Sequence, residues 1–261
     1  MLNTMALMKY DVLNLSPQEL RFGVEFTRQA CTGNPFTCLA SNLLYQGSSP
    51  PWAKQYILED NGDLKIAFIG IIDPEDELLK SLVSLQEADD LQVAPPETVL
   101  NRLLPAVRDK ADVIILLSQL STTKQLALLD AVKGIDISIS AGLRDTTEIP
   151  EDVVILHSVY RGEAIGILEA VADGSGSFSI SKKDYLQLDA SVPAGERVGM
   201  LVEAYNRRKA GQLEVQTRQE LMEGLSFSPE EYIERFNKGH NRQNVPEEQT
   251  GQSGCNQLLV K

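Results

Sequence analysis

Two apolar runs in the middle of the chain, KIAFIGII (Lys65 to Ile72) and DVIILLS (Asp112 to Ser118), are short, rich in β-branched residues and free of polar alternation. Strands buried on both faces have this pattern. Between them, ETVLNRLLPAVRDK sets Val99, Leu100, Leu103, Leu104 and Val107 on one side of a helix, with Pro105 as a source of a kink. TTKQLALLDAV (Thr122 to Val132) repeats the helical period, and GIDISIS (Gly134 to Ser140) and DVVILHS (Asp152 to Ser158) are two more strands. Strand and helix alternating at this spacing predict an α/β sheet with helices on its faces.

The texture changes after about residue 160. EAIGILEAVA, GSFSISKK and DYLQLDA are strand-like, and the DGSG between the first two is a strong turn, so an antiparallel meander is expected. Val198, Leu201, Val202 and Tyr205 mark an amphipathic helix from about Glu196 to Lys209. Past Gly211 the chain turns polar, with one further helix from Ser228 to about Gly239 and a tail rich in Gln, Asn, Glu and Gly that reads as disordered. The division expected is one domain over residues 1–211 and a polar extension over 212–261. Near the start, NLSPQEL has a cap at Ser16, Pro17 at the first helical position and Glu19 three residues past the cap, which is a capping box.

The formal charge of −13 opposes binding to nucleic acid or to an anionic membrane. The basic cluster Arg207, Arg208 and Lys209 suits the negative end of a helix. No apolar run approaches the roughly 20 residues of a membrane span, and MLNTMALMKYD is too short and too weakly apolar for a signal peptide. Cys31, Cys38 and Cys255 have no metal-ligand spacing; Cys31 and Cys38 can pair in an oxidising compartment or stay as buried thiols. The TGQSGCNQ around Cys255 lacks the second cysteine and the histidine of a haem attachment segment. Of the two histidines, His157 and His240, the first ends an apolar strand and reads as structural.

The order YDVLNL, PFTCLASNLL, KIAFIGIIDPE, ADVIILLSQLS, GIDISISAGLRD and SVYRGEAIGILEAV resembles the calcineurin-like metallophosphoesterases, in particular their 5′-nucleotidase branch. The resemblance runs from about Tyr10 to Tyr205. It implies a four-layer αββα sandwich and, in the family, two divalent metal ions that activate water and clamp phosphoryl oxygens. The family's segment YDAxxxGNHE carries a metal-binding Asn and a catalytic His; this chain has Pro17 and Gln18 there. Where the family has Ser-His-Leu-Gly, the metal-binding His is replaced by Gln119. The later Gly-His-x-His falls on Ala141, Gly142, Leu143 and Arg144, so its two histidines become Gly142 and Arg144.

Ligands for paired dications are imidazoles, amides or carboxylates with free lone pairs. Proline and glycine offer none, and arginine adds a positive charge. The resemblance therefore implies a scaffold without its dinuclear centre: no cofactor, no catalytic residue and no phosphatase activity of its own. The family also begins with strands bearing Asp-x-His and Gly-Asp before the YDAxxxGNHE segment, and this chain opens at that third landmark. An N-terminally incomplete domain is expected. The alternative is a phosphoester hydrolase whose remaining ligands lie upstream, in a longer exported protein rather than a cytoplasmic one. A third is an unrelated doubly wound ligand-binding domain with one sheet and helices on both faces. The sequence names no partner.

Overall fold

The structure is a computed structural model that describes residues 2–62, 64–83, 90–142, 150, 152–158, 162–173, 177–193 and 195–209. The expected 211/212 boundary, the helix from Ser228, His240, Cys255 and Arg144 lie outside them. The chain forms two compact units. Among the described residues the smaller is made by Asn3–Lys9 and the stretch from Pro193 to Lys209, and the larger by Tyr10–Val192.

The smaller unit contains two helices, α1 (Leu2–Leu7) and α7 (Glu196–Lys209). The second spans the range that the apolar spacing predicts, with Val198 and Leu201 half-buried, Tyr205 exposed and an Arg207–Glu203 pair at 3.2 Å one turn apart.

The larger unit is built on a five-stranded sheet of order β4-β5-β7-β8-β9. Four of its strands are the predicted apolar runs, all parallel: β5 (Lys65–Ile71), β7 (Val113–Ser121) and β8 (Ile137–Gly142) in the middle, and β9 (Val154–His157) at one edge. The edge strand β4 (Tyr56–Asp60) pairs antiparallel with β5 and was not visible as a strand pattern in the sequence. Alternate residues of each strand serve different cores. Ala67, Ile69, Ile71, Ile114 and Leu116 meet Leu100, Leu104 and Val107 of α5 (Pro96–Arg108) and Leu128 and Leu129 of α6 (Thr122–Ala131). Ile66, Val113, Ile115, Ile137 and Leu156 meet Leu168, Phe178, Ile180 and Tyr185 on the other face.

That second face is covered by strands rather than helices. β10 (Ala164–Ala172) and β11 (Phe178–Gln187) form an antiparallel pair with a bulge between Glu169 and Ala170. GSFSISKK and DYLQLDA, expected as two strands, fuse into the one ten-residue β11, so the meander has two strands and not three. Lys182 and Lys183, at the middle of β11, are exposed and act as extended residues, not as a turn. Near the other end of this face, β1 (Val12–Asn14) pairs parallel with β2 (Thr37–Leu39). Helices on one face and strands on the other give the α/β sandwich expected, and exclude the doubly wound alternative.

Three short helices and one small sheet complete the unit. α2 (Pro17–Leu20) is the predicted capped turn, and α3 (Val24–Thr32) follows it. α4 (Glu77–Val83) begins at the last residue of DPEDE (Asp73 to Glu77), where Asp76 Oδ1 accepts from Leu78 N at 2.9 Å and Leu79 N at 3.1 Å. β3 (Leu43–Tyr45) and β6 (Leu91–Val93) pair antiparallel. Pro105 lies inside α5, with the helix continuing through it to Arg108.

Gly70 of β5 marks a close contact between the layers. It faces away from the helices, and a Cβ there would stand 2.8 Å from Leu39 Cβ and would overlap the Asn14 side-chain oxygen. Gly70→Ala is expected to lower stability by ~1–3 kcal/mol through this overpacking. Urea unfolding should show a lower midpoint at unchanged slope, and an unchanged midpoint would mean that the layers are not in close contact at this point.

Candidate functional site

In parallel sheets ligands bind beyond the carboxyl ends of the strands, so that edge of β5, β7, β8 and β9 is where a site is sought. Two of the positions that the resemblance sets against the family's ligands lie on these strands. Gln119 is half-buried near the end of β7, and Gly142 ends β8; Ser121 and Gly142 are opposite each other across the ladder, after an irregularity between Ser118 and Ser121. Pro17 and Gln18 follow β1, whose Asn14 is tied to these strands. Its amide Nδ2 donates to Ile71 O at 3.0 Å and Leu117 O at 3.3 Å, in the second halves of β5 and β7.

The local chemistry of Pro17 and Gln18 is that of a helix start. Ser16 Oγ accepts from Gln18 N at 3.1 Å, and Glu19 Oε2 accepts from Ser16 N at 2.9 Å and from the Ser16 hydroxyl. Both halves of the capping box are therefore made. Pro17 is buried at the first helical position and Gln18 is exposed. The one carboxylate of this segment, Glu19, spends its oxygen on the cap.

A dinuclear metal centre does not fit these residues. Pro17 and Gly142 carry no donor atom, and Gln18 and Gln119 carry only neutral amides, too few for two dications held about 3.5–4 Å apart. Among the described residues no three His, Cys, Asp or Glu side chains gather as a ligand group. Among the described residues a cation at this edge is an ammonium. Lys124 Nζ, in the first turn of α6, lies 3.0 and 2.9 Å from the two Asp73 oxygens and 2.8 Å from Glu75 Oε2, just past β5. Hydrogen bonds to Asp73 and then Glu75 raise the Lys124 pKa, and the bond to Lys124 lowers that of Glu75.

Further polar groups tie the edge to its surroundings. Asn42, fully buried, donates to Ile72 O at 2.8 Å and Ala94 O at 2.9 Å and accepts from Ile72 N at 2.9 Å. Ser41 Oγ accepts from Gly70 N at 3.1 Å and donates to Gln55 O. His157, at the end of β9, has Nδ1 2.9 Å from the Tyr185 hydroxyl, which also accepts from His157 N at 3.1 Å. The imidazole is thus engaged in joining β9 to β11, as a structural histidine. Asn14, Ser41, Asn42 and Lys124 were not singled out in the sequence. The signal for Asn42 was present, a Ser-Asn pair enclosed by apolar residues in CLASNLL, where a buried amide must be satisfied by backbone.

Comparison with family profiles finds no match, and comparison with curated proteins finds none either. Solved structures do match. The calcineurin-like phosphoesterase YfkN from Bacillus subtilis superposes with a TM-score of 0.65 at 20% identity, over 79% of this chain and 72% of that one. The chain has the calcineurin-like phosphoesterase fold. A 5′-nucleotidase precursor from Thermus thermophilus gives a TM-score of 0.65 at 16% identity, over 82% of this chain and 46% of that one. The sulfate thiohydrolase SoxB of the same organism gives 0.63 at 19%, over 82% and 40%. The chain thus spans less than half the length of the last two. Fold likeness at such identity leaves the chemistry to the side chains.

The Lys124 triad has a pH signature. Glu75 titrates below its ordinary 4.5, so its contribution is present above that value and is lost as pH falls through the lowered pKa. In Lys124→Gln the Glu75 carboxyl is expected to return to its ordinary range in an NMR titration; a carboxyl still depressed in that variant would have another cause.

Proposed function

We propose that this chain is a metallophosphoesterase-like module that lacks the dinuclear metal centre and does not hydrolyse phosphate esters, serving instead as an accessory or binding module. The observation that carries the reading is the donor set at the carboxyl edge of the parallel strands. Two of the substituted positions, Pro17 and Gly142, offer no lone pair on a side chain, and the segment bearing Pro17 and Gln18 is committed to capping a helix. Arg144, by its place in the sequence, adds positive charge where the fold's relatives by resemblance hold cations.

Metal-assisted phosphoester hydrolysis needs the ions for both the nucleophile and the developing charge on the leaving oxygen. Without ions, a water at this edge keeps its ordinary acidity, and no metal supports the leaving oxygen. A neutral or weakly polar ligand, or a protein surface, suits the remaining groups better than a phosphate dianion does, given the charge of −13.

The test is a phosphatase panel on the purified full chain supplied with Mn²⁺ or Zn²⁺. Nucleoside monophosphates and p-nitrophenyl phosphate should be hydrolysed no faster than in buffer with the same metal. Turnover that rises with metal and saturates with substrate would reject the proposal.

A further inference from the structure

The fold leaves α3 poorly anchored by packing. Of its nine residues only Thr27 is buried, its hydroxyl donating to Glu19 O at 3.2 Å and Gly23 O at 3.0 Å. The two aromatic side chains of the region face water: Phe22 is 56% and Phe26 46% exposed, and their rings pack on each other at 5.2 Å. Gly23, with φ 91°, permits the sharp turn from α2 into α3, so the turn itself does little to hold the helix in place. Helices this short are marginal without tertiary contacts. The remaining tie is covalent. Cys31, in the last turn of α3, is bonded to Cys38 of β2, with Cα atoms 5.6 Å apart.

The two sulfurs differ in environment. Cys38 is 2% exposed, its neighbour Leu39 packs against Gly70, and its own carbonyl accepts from Lys54 N at 2.8 Å. Cys31 is half-buried, as are Val24 and Ala30, on a helix whose remaining residues other than Thr27 are exposed. β2 is thereby fixed by the sandwich whether or not the bond exists, and α3 is not.

We propose that the Cys31–Cys38 disulfide is a redox-controlled latch: it holds α3, and with it the Phe22–Phe26 surface, against the sandwich when closed, and releases them when reduced. Closure is thiol–disulfide exchange with a low-molecular-weight disulfide such as oxidised glutathione. The Cys31 thiolate attacks one glutathione sulfur and expels the first reduced glutathione; the Cys38 thiolate then attacks the Cys31 sulfur and expels the second. Two cysteine thiols lose two protons and two electrons, and one oxidised glutathione becomes two reduced ones. Opening reverses this, a reductant thiolate attacking the accessible Cys31 sulfur and Cys38 leaving. Because the bond closes a sequence separation of only 7, it constrains little of the rest of the chain, and its effect is local.

Hydrogen exchange on the full chain tests this, with peptide mapping under non-reducing conditions. Protein equilibrated with oxidised glutathione should yield the Cys31–Cys38 cross-linked peptide. Reduction should speed exchange of the α3 amides by about tenfold or more while β5 and β7 stay protected. Cys31→Ala should show the fast α3 exchange without reductant; should that variant not fold, reduction of the unaltered chain decides. Absence of the cross-link, α3 protection unchanged by reduction, or loss of protection in β5 and β7 along with α3 would each overturn the latch.

Discussion

Parallel strands β5 and β7 are apolar on both faces, β8 carries the buried Ser138 and Ser140 on one of its own, and the larger unit is arranged to keep both faces of the sheet dry. Helices α5 and α6 cover one face and the β10–β11 pair covers much of the other, so residues such as Ile115 and Ile137 are fully buried. The backbone at the strand ends then needs partners that water cannot supply. Asn14 and Asn42 provide them, bridging Ile71 and Leu117, and Ile72 and Ala94. Similar ties bind the opposite edge, where Arg108 reaches Gly134 O at 2.8 Å and Asp136 Oδ2 at 2.6 Å, and Asp136 accepts from Ile114 N at 2.7 Å.

The consequence for function follows from what these polar groups are busy doing. Asn42 is satisfied by backbone at both Nδ2 and Oδ1, Glu19 Oε2 closes a cap, and Asp73 is paired with Lys124, while Asn14 donates its Nδ2 to backbone and its buried Oδ1 has no hydrogen-bond partner. Asn42, Glu19 and Asp73 thus have protein partners. The scaffold draws its stability from the buried strands. That separation of framework from site is why likeness to a phosphoesterase, a nucleotidase and a thiohydrolase supports a fold and leaves activity to the residues present.

Much of the framework was legible in the sequence because burial on both faces leaves an unmistakable run of β-branched residues. KIAFIGII, DVIILLS and the ETVLNRLLPAVRDK helix all fall where the pattern places them. What escaped was short or irregular. β4 reads YILED, with acidic residues at an exposed edge that conceal its strand character, and β1 to β3 are three-residue strands whose pairing is set by distant contacts. β11 was split in two because Lys182, Lys183 and Asp184 resemble a turn, whereas on an edge strand charges discourage pairing with other chains. At the site, the substituted positions Pro17, Gln18, Gln119 and Gly142 were found by resemblance, while the ties that give the edge its present chemistry depend on side chains from four separate segments. The disulfide between Cys31 and Cys38 was one of two open outcomes, and only the approach of α3 to β2 decides it.

The claim that the framework outlived its metal centre is tested most directly by anomalous diffraction from crystals of the full chain soaked in Mn²⁺. The account predicts no ordered peak at the carboxyl edge between Asn14, Gln119 and Gly142. A pair of peaks about 3.5–4 Å apart in that cleft would contradict it.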